Sequence, residues 1–331
     1  MKIAVLGNGR VGSEITRRLR KRHEVNVFDL TPGDNVTLAD LGRIGAVSQI
    51  AREHTVVVGA LPSSMGFRTM QAVVETGTDM VDISFMEQDA SELHDFAQQT
   101  GARVVADMGI APGVSNVLVG SLCDLGYQDV TVYVGGIPDV ATWPIYHSTG
   151  FNLEDTLSEY TRQVRQVENG HIVKKAPLGG YETLRGGLEA FETDGLRSLA
   201  ELPFRELKEK TLRWNGHHAF ILQIKQAGFL ADLAVAAKCL DKAMKPVGEE
   251  QTILRVEAYG MGAYNSGPRS FVYKDQRPQS LAISTAIPAV VAVEHLESVP
   301  RGVWMPEDVF GFDPFLTWLE DEGLIVEERW T

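Results

Sequence analysis

Eleven residues near the start constrain the fold more than any other stretch. The run "KIAVLG", residues 2–7, is continuous and apolar, the pattern of a buried strand. It passes into Gly7-Asn8-Gly9-Arg10-Val11-Gly12, a G-x-G-x-x-G, and then into a helical stretch with Ile15 and Leu19 on one face. The first glycine permits a tight turn, and the second lets a pyrophosphate approach the backbone. The third lets helix and strand pack closely, so that phosphates sit on the helix amino terminus. These six residues are therefore candidates for binding a dinucleotide.

The next apolar run, "EVNVFDL", places Asp29 seventeen positions after Gly12. An acidic residue about 20 positions on is where adenosine ribose hydroxyls are held. A 2′-phosphate would meet its negative charge, so Asp29 favours NAD over NADP. The alternative is a tight turn without ligand, with Asp29 merely ending a strand.

Alternation of strands and helices continues. "TVVVGALP" (55–62), "DMVDISF" (79–85) and "ARVVADMG" (102–109) read as strands. A helix follows the first and runs to about Gly77. Another follows the second, with Asp89 and Glu92 at capping-box spacing and Gly101 as a stop. This order predicts an α/β, Rossmann-type doubly wound parallel sheet. Ligands of such sheets bind beyond the carboxyl ends of the strands. That rule adds Ala60, Leu61, Pro62, Ser63, Ser84 and Gly109 to the cofactor candidates. It also places Asp107, before the 109–113 turn and the capped helix after it, at the border of the nicotinamide pocket.

From about 117 the pattern changes to α+β. "DVTVYVGGIP" (129–138) reads as a strand, "LEDTLSEYTRQVRQV" (153–167) as a helix, and "LEAFETDGLRSL" (188–199) as a strand meeting a turn. "HHAFILQIKQAGFL" and "ADLAVAAKCLDKAM" predict two consecutive helices. "TILRVEAYG" alternates apolar and charged residues, and a Gly/Asn/Pro loop joins it to "SFVYKD", the mark of an antiparallel pair. Near the end come a small-residue helix, "STAIPAVVAVEHL", and "DPFLTWLEDEG", with Asp313 as cap, Pro314 at the first helical position and Gly323 as stop.

Composition narrows the function classes. Among 331 residues, 44% are hydrophobic and 23% charged, with a net charge of -13. Such a surface repels phosphates and argues against nucleic acid as a partner. The one basic run, "RRLRKR" at 17–22, falls at the end of the first expected helix, where cations complement the macrodipole. No stretch reads as the roughly 18 apolar residues of a membrane span, and the start lacks a signal-peptide pattern. Two cysteines, Cys123 and Cys239, stand in no metal or redox spacing, which fits a cytoplasmic setting. Eight scattered histidines and no H-E-x-x-H pattern predict no metal, leaving the cofactor to carry the chemistry.

Several longer motifs resemble a known family. "ALPSSMGFRTMQAVVETGTDMVDISF" followed by "DMGIAPGVSN" is similar to the saccharopine dehydrogenase superfamily, and within it to the lysine 6-dehydrogenase type. "EYTRQVRQVENGHI", "FETDGLRSL", "KEKTLRWNGH", "LAISTAIPAVVAVEHL" and "RGVWMPEDV" extend the resemblance over nearly the whole chain. It implies a dinucleotide domain of residues 1–116 plus 282–331. Residues 117–281 would form an inserted α+β domain for substrate binding and dimerisation. It further implies NAD-dependent oxidation of a terminal amine of a small amino acid, L-lysine above all, to allysine with release of ammonia. Reductive C–N coupling of saccharopine or carboxynorspermidine type is the alternative. A non-catalytic dinucleotide sensor is the reading from another class. The motif "WNGHH" replaces the family's more usual Tyr-Pro-Gly-His, which counts against the lysine 6-dehydrogenase branch, and the run "YHSTGFN" (146–152) departs from the reductase pattern.

Amine oxidation needs a carboxylate anchor, a group for the ammonium ends, and a base. A histidine near its ordinary pKa of about 6.5, or a carboxylate raised by burial, suits the base. His217, in the family-like Gly-His position, is the first candidate. Asp107 and Asp194 are candidates to hold the amine. Arg213 and Arg197 are placed by family position to pair with a carboxylate, for which arginine is suited. Arg162 and Arg165 fall on the expected 153–167 helix and read as surface residues. Tyr146 and Trp143 could pack on an alkyl chain. The expected partners are a small amino-acid or diamine substrate and a second copy of the chain.

Overall fold

The computed structural model describes residues 1–148, 152–245, 248–260 and 267–330. Parts of the 146–152 run and of the Gly/Asn/Pro loop lie outside them. The first strands are β1 (Lys2–Leu6), β2 (Glu24–Asp29), β3 (Val36–Leu38), β4 (Val56–Gly59), β5 (Asp79–Asp82) and β6 (Arg103–Val105). The middle of the chain forms β7 (Asp129–Pro138), β8 (Val164–Glu168), β9 (His171–Lys175), β10 (Glu182–Thr183), β11 (Leu188–Glu192), β12 (Glu206–Trp214), β13 (Glu250–Tyr259) and β14 (Arg269–Asp275). β15 (Gly302–Trp304) and β16 (Glu327–Trp330) end it.

Among the described residues, seven strands form one sheet in the order β15-β6-β5-β4-β1-β2-β3, and every pair in it is parallel. That order reverses direction beside β1, which makes the carboxyl ends of β1 and β4 the crevice where open α/β sheets bind ligands. Parallel strands need crossover helices. Here α1 (Arg10–Leu19), α2 (Ile44–Arg52), α3 (Ser63–Val74) and α4 (His94–Thr100) supply four of them. β1 is solvent-free from Ile3 to Leu6, as a strand covered on both faces must be. Ile15 and Leu19 of α1 are likewise fully buried. The sheet, with the turn after β6 and residues 282–324, forms one compact unit.

The second unit runs from Ser115 to Leu281 and takes in the chain from Ile325. Its sheet follows β10-β11-β12-β7-β13-β14-β16, with β8 paired to β12 and β9 to β8. Among the described residues, only β12 and β7 are parallel; the other pairs are antiparallel, β13 with β14 among them. β16 pairs with β14, so the tail after Leu324, expected with the dinucleotide domain, lies in the second unit. Helices α5 (Val114–Asp124), α6 (Leu153–Ser158), α7 (His217–Gln226) and α8 (Leu233–Met244) accompany this sheet.

Three further features differ from expectation. The 153–167 segment is not one helix: α6 stops at Ser158, and residues 164–168 are β8. Asn169 (φ 51°) and Gly170 (φ 78°) turn β8 into β9, which pairs with it in antiparallel register. That is the Asn-Gly hairpin geometry. Near the end, α9 (Ser280–His295) and α10 (Pro306–Val309) precede α11 (Phe312–Asp321). The cap of α11 is Gly311, with Asp313 inside its first turn rather than at the cap. The stretch Ser280–Ser298 has the length and mean hydropathy (1.2) to cross a membrane, contrary to the sequence reading. It is 78% buried inside the protein, the environment of a core helix.

Candidate functional site

In the first unit the loops after β1, β2 and β4 converge. Gly7 adopts φ +104°, and a Cβ there would lie 2.3 Å from the Ala60 carbonyl oxygen. A Cβ on Gly12 would lie 2.1 Å from the Gly7 carbonyl oxygen. Both positions therefore exclude a side chain for reasons internal to the protein. Gly9 is different: nothing lies within 4 Å of a Cβ built there. It is the N-cap of α1, no side chain caps that helix end, and its first turn carries no acidic residue. An uncapped amino terminus with open space over its glycine fits a phosphate.

Asp29, at the end of β2, stands beside that loop. Its Oδ2 accepts the Asn8 N–H at 2.6 Å and its Oδ1 accepts the Thr31 N–H at 2.7 Å. Two backbone amides thus fix the carboxylate, and its remaining lone pairs can accept from ribose hydroxyls. The residues present fit a dinucleotide.

The ends of β4, β5 and β6 are equally constrained. Asp82, fully buried, accepts the Ser84 N–H at 2.7 Å and the Ser84 hydroxyl at 3.3 Å, and its carbonyl accepts the Met108 N–H at 2.9 Å. Gly59 is required there, because a Cβ would meet Asp82 Oδ2 at 1.9 Å. Asp107 is 2% exposed with φ 54°. Gly109 closes the following turn, donating to Pro112 O and accepting from Val114 N–H, each at 3.0 Å.

The second unit holds a buried polar ensemble. Period-two alternation along β12 sends Leu207, Glu209, Thr211 and Arg213 to one face, and all four are buried. Arg213 Nε donates to the Tyr160 hydroxyl at 3.2 Å, and its Nη1 donates to the Leu212 carbonyl at 2.9 Å. Nη2 lies 3.6 Å from Glu159 Oε2. His217, the first residue of α7, is fully buried, with Nδ1 2.7 Å from the Ile145 carbonyl. A carbonyl can only accept, which assigns the ring proton to Nδ1. His217 Nε2, 3.0 Å from Tyr160 Oη, is then the acceptor of the tyrosine proton. A directed chain results, from Arg213 through Tyr160 and His217 to Ile145.

This environment sets the protonation states. Burial, reinforced by the Arg213 guanidinium, pushes His217 down to about 3. His147, whose ring centroid lies 5.0 Å from that of His217, is held well below the usual histidine range by burial, Arg213 and His217. Burial lifts the Tyr160 phenol to about 12. The expectation of a histidine base near 6.5 therefore does not hold for His217, which stays a neutral, fully bonded imidazole. Replacing Tyr160 by phenylalanine would strand His217 Nε2 and Arg213 Nε in the interior. We expect a loss of about 1–3 kcal/mol in unfolding free energy, read by denaturant titration.

The other expected residues divide. Asp194 is committed: it accepts from the Arg165 backbone N–H at 3.2 Å, from Nε at 3.0 Å and from Nη2 at 3.2 Å. Arg165 is thus on a strand and paired, not on a helix surface. Arg197 is 8% exposed and opens a short 3-10 turn at φ 53°. Tyr146 (φ 55°) packs its ring on Gly216, where a Cβ would come within 2.8 Å of it. Trp143 is 76% exposed and lines no core. Asp107, Tyr146 and Arg197 all sit in the left-handed region, which costs a residue with a side chain about 1–2 kcal/mol.

Three groups escaped the sequence reading. Glu209, 4% exposed, is pushed up to about 8 by burial and by the neighbouring Glu159 and Asp194 carboxylates, against the Arg162 guanidinium. Glu159 is raised by burial. Glu189, 1% exposed, caps α7 by accepting the N–H groups of Gly216 (2.9 Å) and His218 (2.5 Å). The alternation in "ELKEKTLRW" carried the signal for Glu209. Among the described residues, no group of three or more His, Cys, Asp or Glu could hold a metal ion.

A parallel sheet in Rossmann order with a glycine loop, joined to a second α+β unit, defines the class: a two-unit protein of dinucleotide-binding fold. Residues 109–324 match the family described as the saccharopine dehydrogenase C-terminal domain, and the chain belongs to that family. Over 200 residues it is 22% identical to an alpha-aminoadipic semialdehyde synthase of Arabidopsis thaliana, a match covering 53% of this chain but 18% of that protein. Its fold is similar to saccharopine dehydrogenase (L-Glu forming) of Saccharomyces cerevisiae, with a TM-score of 0.80, 14% identity and 99% of each chain covered. It is also similar to a homospermidine synthase of Legionella pneumophila solved with NAD. There the TM-score is 0.66 and the identity 10%, over 100% of this chain and 91% of that one.

Proposed function

We propose that this protein is an NAD-dependent oxidoreductase that deaminates a terminal amine of a small amino acid, with L-lysine as first candidate. The observation that carries the reading is the Asp29 carboxylate, fixed by two backbone amides beside an uncapped glycine loop. In this reading Asp29 accepts the ribose hydroxyls and the amino end of α1 takes the pyrophosphate. When bound, the dinucleotide supplies the hydride acceptor. In the second unit Arg213, oriented by Tyr160, offers its remaining N–H groups to the substrate carboxylate. A homodimer is the proposed assembly, on the resemblance.

The experiment is NADH appearance by absorbance with NAD and L-lysine at mildly alkaline pH, beside ornithine, diaminobutyrate and putrescine. A lysine-selective rate with stoichiometric ammonia is expected. Asp29→Ser should lower the preference for NAD over NADP by at least about tenfold, since a 2′-phosphate would no longer meet a carboxylate. A flat trace with all four amines would overturn the reading. It would leave the second one, reductive C–N coupling, which the likeness to a saccharopine dehydrogenase and a homospermidine synthase favours. That reaction would oxidise NADH only when an amine and a carbonyl compound are both present.

A further inference from the structure

Glu209 Oε2 is buried and has no hydrogen-bond partner. An unsatisfied buried carboxyl atom costs about 1–3 kcal/mol or more, and native proteins hold few of them. The position is also built. A Cβ on Gly195 would fall 1.5 Å from Glu209 Oε1, so residue 195 must be glycine for this carboxyl to lie where it does. Its acidic neighbours are not equivalent to it: Asp194 is bound by Arg165, and Glu159 faces Arg213. A second orphan, His147 Nδ1, lies in the group around Arg213 and His217.

Glu209 and Arg213 share one face of β12, four residues apart, with Thr211 between them. Their Cα atoms are about 13 Å apart along the strand, a span that two long side chains shorten. Thr211 is spoken for, its hydroxyl 2.7 Å from that of Thr193. Arg213 has five N–H groups: hydrogen bonds engage Nε and one on Nη1, and Nη2 faces Glu159 Oε2 at 3.6 Å, beyond hydrogen-bond distance. One face of one strand thus carries a cation with donors to spare and a carboxyl with an acceptor to spare.

We propose that Glu209 receives the ammonium of the amino-acid substrate and takes its proton, while Arg213 holds the carboxylate. The proposal rests on the function proposed above and replaces His217 as the base. In the step, the ammonium N–H bond breaks and its electron pair stays on nitrogen, leaving a neutral amine. The proton forms an O–H bond at Oε2 and neutralises the carboxylate. The groups facing Glu209 are Glu159 and Asp194, which favour its neutral form, and Arg162, which favours the anion. Because the resting group holds its proton near neutral pH, binding an ammonium there must expel one proton to solvent.

The test is calorimetric titration of L-lysine into protein saturated with NADH, in phosphate and in Tris, so that buffer heats report proton release. Wild type should release about one proton per site at pH 7 and none by about pH 10. Glu209→Gln should release none, bind lysine at least about tenfold more weakly, and lose at least about 100-fold in kcat for NAD reduction. If the amide variant does not fold, Glu209→Asp, one methylene shorter, should keep the proton release and lose kcat. Proton release that persists in the amide variant, or an unchanged kcat and pH profile, would overturn the proposal. Wild type that oxidises no diamino acid at all would instead overturn the function on which it rests.

Discussion

Gly12→Ala is expected to cost on the order of 3 kcal/mol of unfolding free energy, whereas Gly9→Ala is expected to leave stability almost unchanged and abolish tight dinucleotide binding. A Cβ at residue 12 lands 2.1 Å from the Gly7 carbonyl oxygen, and that oxygen is backbone, with no rotamer to retreat into. Relief requires moving α1 off β1, and the fully buried Ile15 and Leu19 must move with it. At residue 9 the same methyl meets open space, at φ -66°, which any residue adopts. Its only cost arises when a pyrophosphate approaches. Thermal denaturation and NADH titration of the two variants check this pair, with at least about a tenfold rise in Kd for Gly9→Ala and a drop of several degrees in Tm for Gly12→Ala. Equal losses of Tm would mean that the second glycine, too, is there for packing. Equal affinity of Gly9→Ala and wild type for NADH would deny the loop its phosphate.

The second large effect is in the alkaline stability of the protein. Glu209 has its pKa raised from the ordinary value of 4.5 to about 8. Between those values the folded protein keeps a proton that the unfolded chain has lost. The contribution to stability is therefore fully present below about pH 4.5 and is lost as pH rises towards 8. At about 1.4 kcal/mol per pH unit, the loss is on the order of 3–5 kcal/mol. Glutamine has the shape of the protonated acid and does not titrate. Glu209→Gln should match wild type near pH 5 and exceed it by that amount above pH 8, in urea unfolding curves measured across the range. Parallel curves for the two proteins would show that Glu209 is ionised in the folded state at neutral pH.

His217 works in the other direction. Its folded value of about 3 lies below the ordinary 6.5, so the unfolded chain takes up a proton first as the solution is acidified. Its contribution is present above about pH 6.5 and is lost as pH falls towards 3. The buried histidine and the buried glutamate thus limit stability from opposite sides. The Glu209→Gln variant should change only the alkaline limb.

The two chemistries are tied to one local device. The polar face of β12 turns inward, so the same alternation that would normally bury leucine or valine buries Glu209, Thr211 and Arg213. Burying charge is costly unless it is paired, and most of this group is paired: Arg213 through Tyr160, Asp194 through Arg165. Glu209 Oε2 and His147 Nδ1 are the atoms of this group left without a hydrogen-bond partner. Local pattern and fold are at odds along the inward polar face of β12.

What the sequence by itself determined was the part governed by local rules. The strand, glycine loop and helix of residues 2–19, the acidic end of β2, and the 129–138 strand follow from apolar period and from the special backbone angles that glycine permits. Those properties belong to a few neighbouring residues and survive in any context. The 153–167 segment shows the limit. Val164 and Val167 repeat at helical spacing, but the Asn169-Gly170 turn and pairing with β9 make them a strand. The tail went astray for the same reason, because a lone four-residue strand acquires a place only through the partner it pairs with. The roles of the polar residues were beyond local rules altogether. Protonation depends on desolvation and on charges brought near by folding. His217 and Glu209, both ordinary in sequence, exchange their expected affinities for a proton only once Arg213, Tyr160, Glu159 and Asp194 are packed around them.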